Sequence, residues 1–173
     1  MLVRIKRLLK HGWRSQFASG AAIAPNLTRR LGLQVAASEQ RHSGEIRIYI
    51  EAALPLSYLW QKAPIRQVTR QRAVTIFGKL RVWDTAHNNG VLIYLLLAER
   101  AIEVVADRGL NERVDPAIWQ AMVSRMSAAF KGGQFDQGLT TALDEVSDLL
   151  VRHFPLAPGE ANPNELPDAP ALG

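Results

Sequence analysis

Val91-Leu-Ile-Tyr-Leu-Leu-Leu-Ala98 is the longest uninterrupted apolar run in a chain of 173 residues. It is far too short to cross a bilayer as a helix, which takes about 20 residues. A strand that is apolar on both faces belongs in the interior of a sheet whose two sides are both covered. The run therefore asks for helices on each side of a sheet, and the remaining segments can supply them.

Asn26-Leu-Thr-Arg-Arg opens a helix running toward about Gln40, with Leu27, Leu31, Val35 and Ala36 on one side. Glu45-Ile-Arg-Ile-Tyr-Ile-Glu51 alternates with period two, so Ile46, Ile48 and Ile50 face one way along a strand. A second helix spans about Ile65 to Leu80, with Val68, Ala73, Ile76, Phe77 and Leu80 inward and Arg66, Arg70 and Arg72 in solvent. After the polar loop Trp83–Gly90 comes the apolar strand, then a turn at Glu99-Arg100 and the strand Ile102–Ala106, paired as an antiparallel hairpin. Asp115-Pro116 is a helix start, an N-cap followed by proline at the first helical position. Ile118, Met122, Met126 and Phe130 recur every four residues until Gly132-Gly133 breaks the helix, and Leu139 to about His153 forms the last one. This order predicts a three-layer α/β/α sandwich, a small mixed sheet with helices on both faces.

The ends differ from the body. Residues 1–30 hold seven Lys and Arg and no acid, so the arm carries +7 and the other 143 residues −2. Read as a helix, Met1–Trp13 lines Leu2, Ile5, Leu9 and Trp13 on one stripe, apart from Arg4, Arg7 and Arg14. Such a basic amphipathic arm, with Arg4, Lys6, Arg7, Lys10, Trp13 and Arg14, can lie on an anionic membrane surface or meet a membrane-protein partner. Packing on its own domain is the plainer alternative. No apolar run of the length of a signal peptide follows the basic start. Nucleic acid is not expected as a partner, because no recognised fold motif or stacking platform accompanies the charge. From Pro155 to Gly173 there are five prolines, three acids and no bases, which predicts an extended, mobile tail. The chain thus divides into a basic amphipathic or disordered arm at 1–25, an α/β domain at 26–154 and a Pro-rich acidic disordered tail at 155–173.

Topology then gathers polar residues. If the first two strands are parallel neighbours, as a strand–helix–strand crossover makes them, Ser43-Gly44-Glu45 and Asn88-Asn89-Gly90 start at one sheet edge. The hairpin returns Asp107-Arg108-Gly109 to that edge. Glu45, Asp84, Asn88, Asn89, Asp107 and Asp115 are thereby expected within reach of one another, with Glu51 and Glu99 at the opposite edge. Oxygen-only carboxylates and amides suit calcium or magnesium. His87 and Arg108, in the same loops, can offset the acids or bind an anionic group such as phosphate. Asp, Asn and Gly are also ordinary turn residues, so turn chemistry with solvated acids stands beside a ligand site.

Other chemistry finds little support. The absence of cysteine excludes thiolate nucleophiles, zinc–thiolate sites and iron–sulfur clusters. His11, His42, His87 and His153 show no HExxH or comparable ligand spacing. Ser43-Gly44 lacks the flanks of a nucleophile elbow, and there is no G-x-G-x-x-G. Trp119, Met122 and Met126 fall at the helical spacing of a core stripe.

Ser43-Gly44-Glu45-Ile46, Asn89-Gly90-Val91-Leu92-Ile93 and Ala106-Asp107-Arg108-Gly109-Leu110, in that order, resemble the TPM domain (TPM phosphatase) family. Phe130-Lys-Gly-Gly-Gln-Phe135 and Gly138 match as well, and the resemblance covers roughly residues 27–154. The Asn-Glu-Leu-Pro-Asp tail is similar to the short soluble bacterial branch that lacks a signal peptide and membrane anchor. The resemblance implies an α/β/α sandwich, divalent-cation binding in some members, calcium especially, and a phosphatase label. One departure is plain: many members have Gly-Tyr-Gly-Leu-Glu where this chain has Asp107-Arg-Gly-Leu-Asn111. The expectation is a cytoplasmic protein, peripheral at the inner membrane face, that acts as a divalent-cation-binding regulatory module. The alternative is a metal-dependent phosphatase acting on a small phosphate ester, with Asp84 and Asp107 holding the cation and Arg108 stabilising developing charge.

Overall fold

The computed structural model describes residues 25–173, and the basic stretch Arg4–Arg14 lies outside the described residues. Helix α1 (Pro25–Glu39) leads into strand β1 (Ile46–Glu51). A short turn of helix, α2 (Leu56–Leu59), precedes α3 (Ile65–Lys79). Strand β2 (Val91–Leu96) turns through a 3-10 segment at Leu97–Glu99 into β3 (Ala101–Ala106). Three helices follow, α4 (Arg108–Asn111), α5 (Pro116–Lys131) and α6 (Phe135–His153), and the chain ends in β4 (Ala171–Leu172). The four strands lie in the order β3-β2-β1-β4. β1 runs parallel to β2, with Ile46 opposite Val91, and β2 pairs antiparallel with β3, with Val91 opposite Ala106.

Alternation along each strand divides the core in two. Ile46, Ile48, Ile50, Val91, Ile93, Leu95, Ile102 and Val104 pack with α1, α5 and α6. Leu92, Tyr94, Leu96 and Val105 pack with α2 and α3. Every residue of β2 is buried, as an interior strand between two helical layers must be. Each fully buried Leu or Ile of this strand stabilises the fold by about 1.5–3 kcal/mol, so neither layer is dispensable. The chain is an α/β/α sandwich with a mixed sheet.

Several local expectations are corrected. Arg72, expected in solvent, is buried on α3 against the second layer. Its Nη2 lies 2.5 Å from Glu51 Oε1, its Nε donates to both Glu51 oxygens, and Tyr94 Oη donates to Glu51 Oε2 at 2.6 Å. The Tyr58 ring covers the guanidinium, 5.2 Å from its centroid. Burial alone would lower the Arg72 pKa, but hydrogen bonds and charge from Glu51 more than offset it and raise it. Helix α6 starts at Phe135 rather than Leu139, because Gly138 lets the ring of Phe130 approach its backbone and Phe130 stacks on Phe135, centroids 4.6 Å apart.

The 155–173 segment is extended as expected, but it is bound rather than mobile. Pro155 forms an isolated antiparallel bridge with His42, and Asn162 Nδ2 donates to the carbonyls of His42 and Gly44. Arg47 Nη1 donates to the carbonyls of Pro167 and Ala169, and β4 adds to β1 in parallel, Tyr49 opposite Ala171. Prolines lack only the donor, so their carbonyls and the extended backbone remain free to pair at a sheet edge.

Removing one partner of a buried ion pair leaves the other uncompensated, at about 3–5 kcal/mol. Arg72→Met is expected to cost that much by urea denaturation, whereas Arg72→Met with Glu51→Leu costs much less than the sum of the single changes.

Candidate functional site

The predicted convergence at the start of β1 and β2 is present in the backbone. Val91 N donates to Glu45 O at 2.8 Å and Asp107 N to Gly90 O at 2.8 Å. Glu45, Gly90 and Asp107 therefore form one further row of the sheet, beyond Ile46, Val91 and Ala106. Alternation turns this row toward the α3 layer. The carbonyl of Val82 lies against Gly90, where any Cβ would collide with it. Glycine is required here by close approach of two backbone segments.

The two acids of the row are buried. Glu45 Oε2 accepts from Leu166 N at 2.9 Å, while Oε1 has no partner. Asp107 caps α4, its Oδ1 accepting from Arg108 N at 2.7 Å, while Oδ2 is buried without a partner. Burial raises the Glu45 pKa, countered in part by the backbone N–H groups of Leu166 and Glu165. Asn89, fully buried, donates through Nδ2 to Ser43 O at 3.0 Å and ties the two strand starts together, with Oδ1 unpartnered. Asn88 takes a positive φ of 51° and accepts from Gly109 N through its carbonyl at 2.9 Å.

The other predicted residues are placed differently. Asp84 is exposed and paired with Arg81, Nη2 to Oδ2 2.7 Å. Asp115 is an exposed helix cap, its Oδ1 accepting from Ala117 N at 2.8 Å. His87 and Arg108 are exposed in the loops around the row. Among the described residues, no group of three or more His, Asp or Glu is arranged to hold a metal ion. Glu45 and Asp107 stand two strand spacings apart, about 10 Å between their backbones, so a cation shared by them requires both side chains to turn over Gly90. The donors present are two carboxylates with open oxygens and the Val82 carbonyl, a set that fits a hard cation by chemistry.

The tail contributes residues that sequence reasoning missed. Glu165 accepts from Ala86 N through both oxygens, at 3.2 and 3.0 Å, and so bridges the tail to the loop before β2. Glu39, at the end of α1, is buried; its Oε1 accepts from Ile46 N at 2.8 Å and its Oε2 has no partner. Burial, opposed by the Ile46 N–H and reinforced by the charges of Glu45 and Asp168, pushes the Glu39 pKa up to about 8. Only the apolar spacing of α1 was legible, and Glu39 falls beyond its last apolar position.

A second buried polar chain lies beside it. His42 Nδ1 donates to Gly44 O at 3.0 Å, which leaves Nε2 to accept from Ser38 Oγ at 2.8 Å. Ser38 in turn is bonded to Ser147 Oγ, which accepts from Arg41 Nη2 at 2.6 Å. Burial lowers the His42 pKa to about 4. The Ser38–His42 pair is closed from solvent and ends on a carbonyl rather than a carboxylate, so it staples α1, the β1 approach and α6 together.

The comparisons agree with this architecture. The TPM domain family model matches residues 20–149. The chain belongs to the TPM domain family. The NMR structure of BA42 protein from the psychrophilic bacterium Bizionia argentinensis is similar, with a TM-score of 0.74 at 24% identity over 90% of this chain and 98% of that one. The solution structure of the N-terminal domain of a P. gingivalis protein has a TM-score of 0.57 at 18% identity, over 81% of this chain and 85% of that one. These likenesses show a shared fold. No curated protein matches. Within this TPM domain no described helix is long and apolar enough to cross a membrane.

The two shifted groups act on stability with opposite sign. His42 binds its proton more weakly when folded, so stability rises with pH between about 4 and 6.5. Glu39 binds its proton more tightly when folded, so its contribution is full below 4.5 and is lost as pH rises to about 8. The two oppose each other from 4.5 to 6.5, and above 6.5 the carboxyl dominates. Urea midpoints are expected to fall from pH 6.5 to 8, by at most about 1.4 kcal/mol per pH unit from Glu39. Glu39→Gln is expected to flatten that fall.

Proposed function

We propose that this TPM domain is a divalent-cation-binding regulatory module, and that calcium or magnesium is taken at the Glu45–Gly90–Asp107 row. The observation that supports this reading is the pair of buried, unpartnered carboxylate oxygens, Glu45 Oε1 and Asp107 Oδ2, on one row of the sheet. An open carboxylate oxygen held away from water is costly, and a bound cation relieves it. The Val82 carbonyl over Gly90 adds a third oxygen. The basic stretch with Arg4, Lys6, Arg7, Lys10, Trp13 and Arg14 would meet an anionic membrane surface or a membrane-protein partner at the cytoplasmic face. Its support is the separation of charge, +7 in residues 1–30 against −2 in the rest.

A metal-dependent phosphatase is the second reading, favoured by the exposed guanidinium of Arg108 immediately beside Asp107. A cation there would polarise phosphoryl oxygens and activate water. In that case Arg108→Ala lowers release of phosphate from a small phosphate ester without weakening cation binding.

Calorimetric titration of the wild type with calcium and with magnesium is expected to show binding, and Glu45→Gln with Asp107→Asn to abolish it. Asparagine retains an oxygen for the cap of α4, so Asp107→Asn leaves the fold in place. A wild type that binds neither ion, or a double variant that binds as well as the wild type, contradicts the assignment.

A further inference from the structure

Strand β3 closes one side of the sheet, and among the described residues no strand pairs with its outer edge. The Asp107 N–Gly90 O bond and the register of Ala106 opposite Val91 fix which peptide groups face outward. Val105 and Glu103 direct theirs toward β2, while Ile102, Val104 and Ala106 direct theirs away from it. Arg70 Nη1 confirms the phase, since it donates to the outward carbonyl of Val104 at 2.5 Å. Beside this edge a groove of about 590 Å³ runs between the start of α3 and the first half of α5. Its walls include Pro64, Pro116, Trp119 and Val123, which are apolar, and Arg66 and Arg70, which are cationic. The acid in its lining is Glu103, 3.6 Å from Arg70. The indole Nε1 of Trp119 has no acceptor.

We propose that this groove receives an extended acidic peptide of a protein partner, added to β3 as a further strand. An open edge supplies main-chain donors and acceptors at the strand spacing, which gives affinity without a fixed sequence. The apolar walls take alternate side chains of the incoming strand, whose backbone replaces Arg70 at the Val104 carbonyl, so that Arg66 and the released Arg70 select acids at the positions between them. The opposite edge of the same sheet already works this way: Gly173 N donates to Ile50 O at 3.0 Å and Ala52 N to Gly173 O at 3.2 Å, so an extended acidic tail completes β1. A second copy of this chain pairing symmetrically at β3 would set Arg66 and Arg70 against their own counterparts, and like charges disfavour it.

The test uses the full chain with EDTA present, so that cation binding does not enter. The probes are two fluorescein-labelled octapeptides, one alternating Glu and Val and the other Lys and Val. The Glu–Val peptide is expected to raise anisotropy and shift the amide signals of Ile102, Val104 and Ala106. Ala106→Pro removes an outward N–H while leaving the β2 pairing intact, and is expected to weaken binding about tenfold. Arg66→Glu with Arg70→Glu, on exposed side chains, is expected to reverse the preference in favour of Lys–Val. The proposal is overturned if neither peptide binds, if both bind the wild type equally, or if the shifts fall on β1 and β4. Self-association of the peptide-free chain through the β3 amides would overturn it in favour of a second copy.

Discussion

Six consecutive side chains of β2, Val91 to Leu96, are withdrawn from water on two opposite faces, and the other elements are arranged to make that possible. The face of Val91, Ile93 and Leu95 needs a helical layer, which α1, α5 and α6 supply. The face of Leu92, Tyr94 and Leu96 needs another, which α3 supplies with Val68, Ala73 and Ile76. Tyr94 is the one polar side chain of the strand, and its hydroxyl is buried with it. Its need for an acceptor is met by Glu51, the negative charge of Glu51 by Arg72, and the face of Arg72 by Tyr58. A single phenol on an interior strand thus accounts for a buried charge pair on two other elements.

The same arrangement builds the candidate site. A parallel pair starts at one edge of the sheet, so whatever precedes β1 and β2 meets there, and the antiparallel return of β3 adds a third segment. Gly90, in the middle, has room for the Val82 carbonyl and none for a side chain. The acids on either side of it in the row are each bonded through one oxygen, Glu45 to Leu166 N and Asp107 to Arg108 N, and open at the other. The tail then covers the edge, and its Asn162, Glu165 and Leu166 bond to the segments that converge there.

Much of this was legible because apolar periodicity is local. The alternation of Ile46, Ile48 and Ile50 and the spacing of Met122, Met126 and Phe130 each placed a strand or helix correctly. Asp115-Pro116 marked the start of α5 at the right residue. The burial of Arg72 is not legible, because an arginine on an otherwise basic helix face reads as solvated and its partner lies 21 positions away on β1. The attachment of the tail is not legible either, because proline density argues against regular structure but says nothing about carbonyls accepting from Arg47. At the site, topology brought Glu45, Asn89 and Asp107 together and could not tell an open carboxylate from a cap. Asp84 and Asp115 are held by Arg81 and by the N-terminus of α5. Glu39 carries no sequence signal, since the charges that help raise its pKa, those of Glu45 and Asp168, arrive from distant positions in the chain.

Manganese tests a cation site on the Glu45–Gly90–Asp107 row directly, because Mn²⁺ occupies oxygen sites that suit calcium or magnesium and broadens nearby nuclear resonances. Substoichiometric Mn²⁺ added to the ¹⁵N-labelled chain is predicted to broaden the amides of Glu45, Gly90 and Asp107 first, with Val82 close behind. Broadening that begins at the exposed acids Asp84, Asp115 or Glu160, or that spreads evenly over the surface, would contradict a cation site on this row.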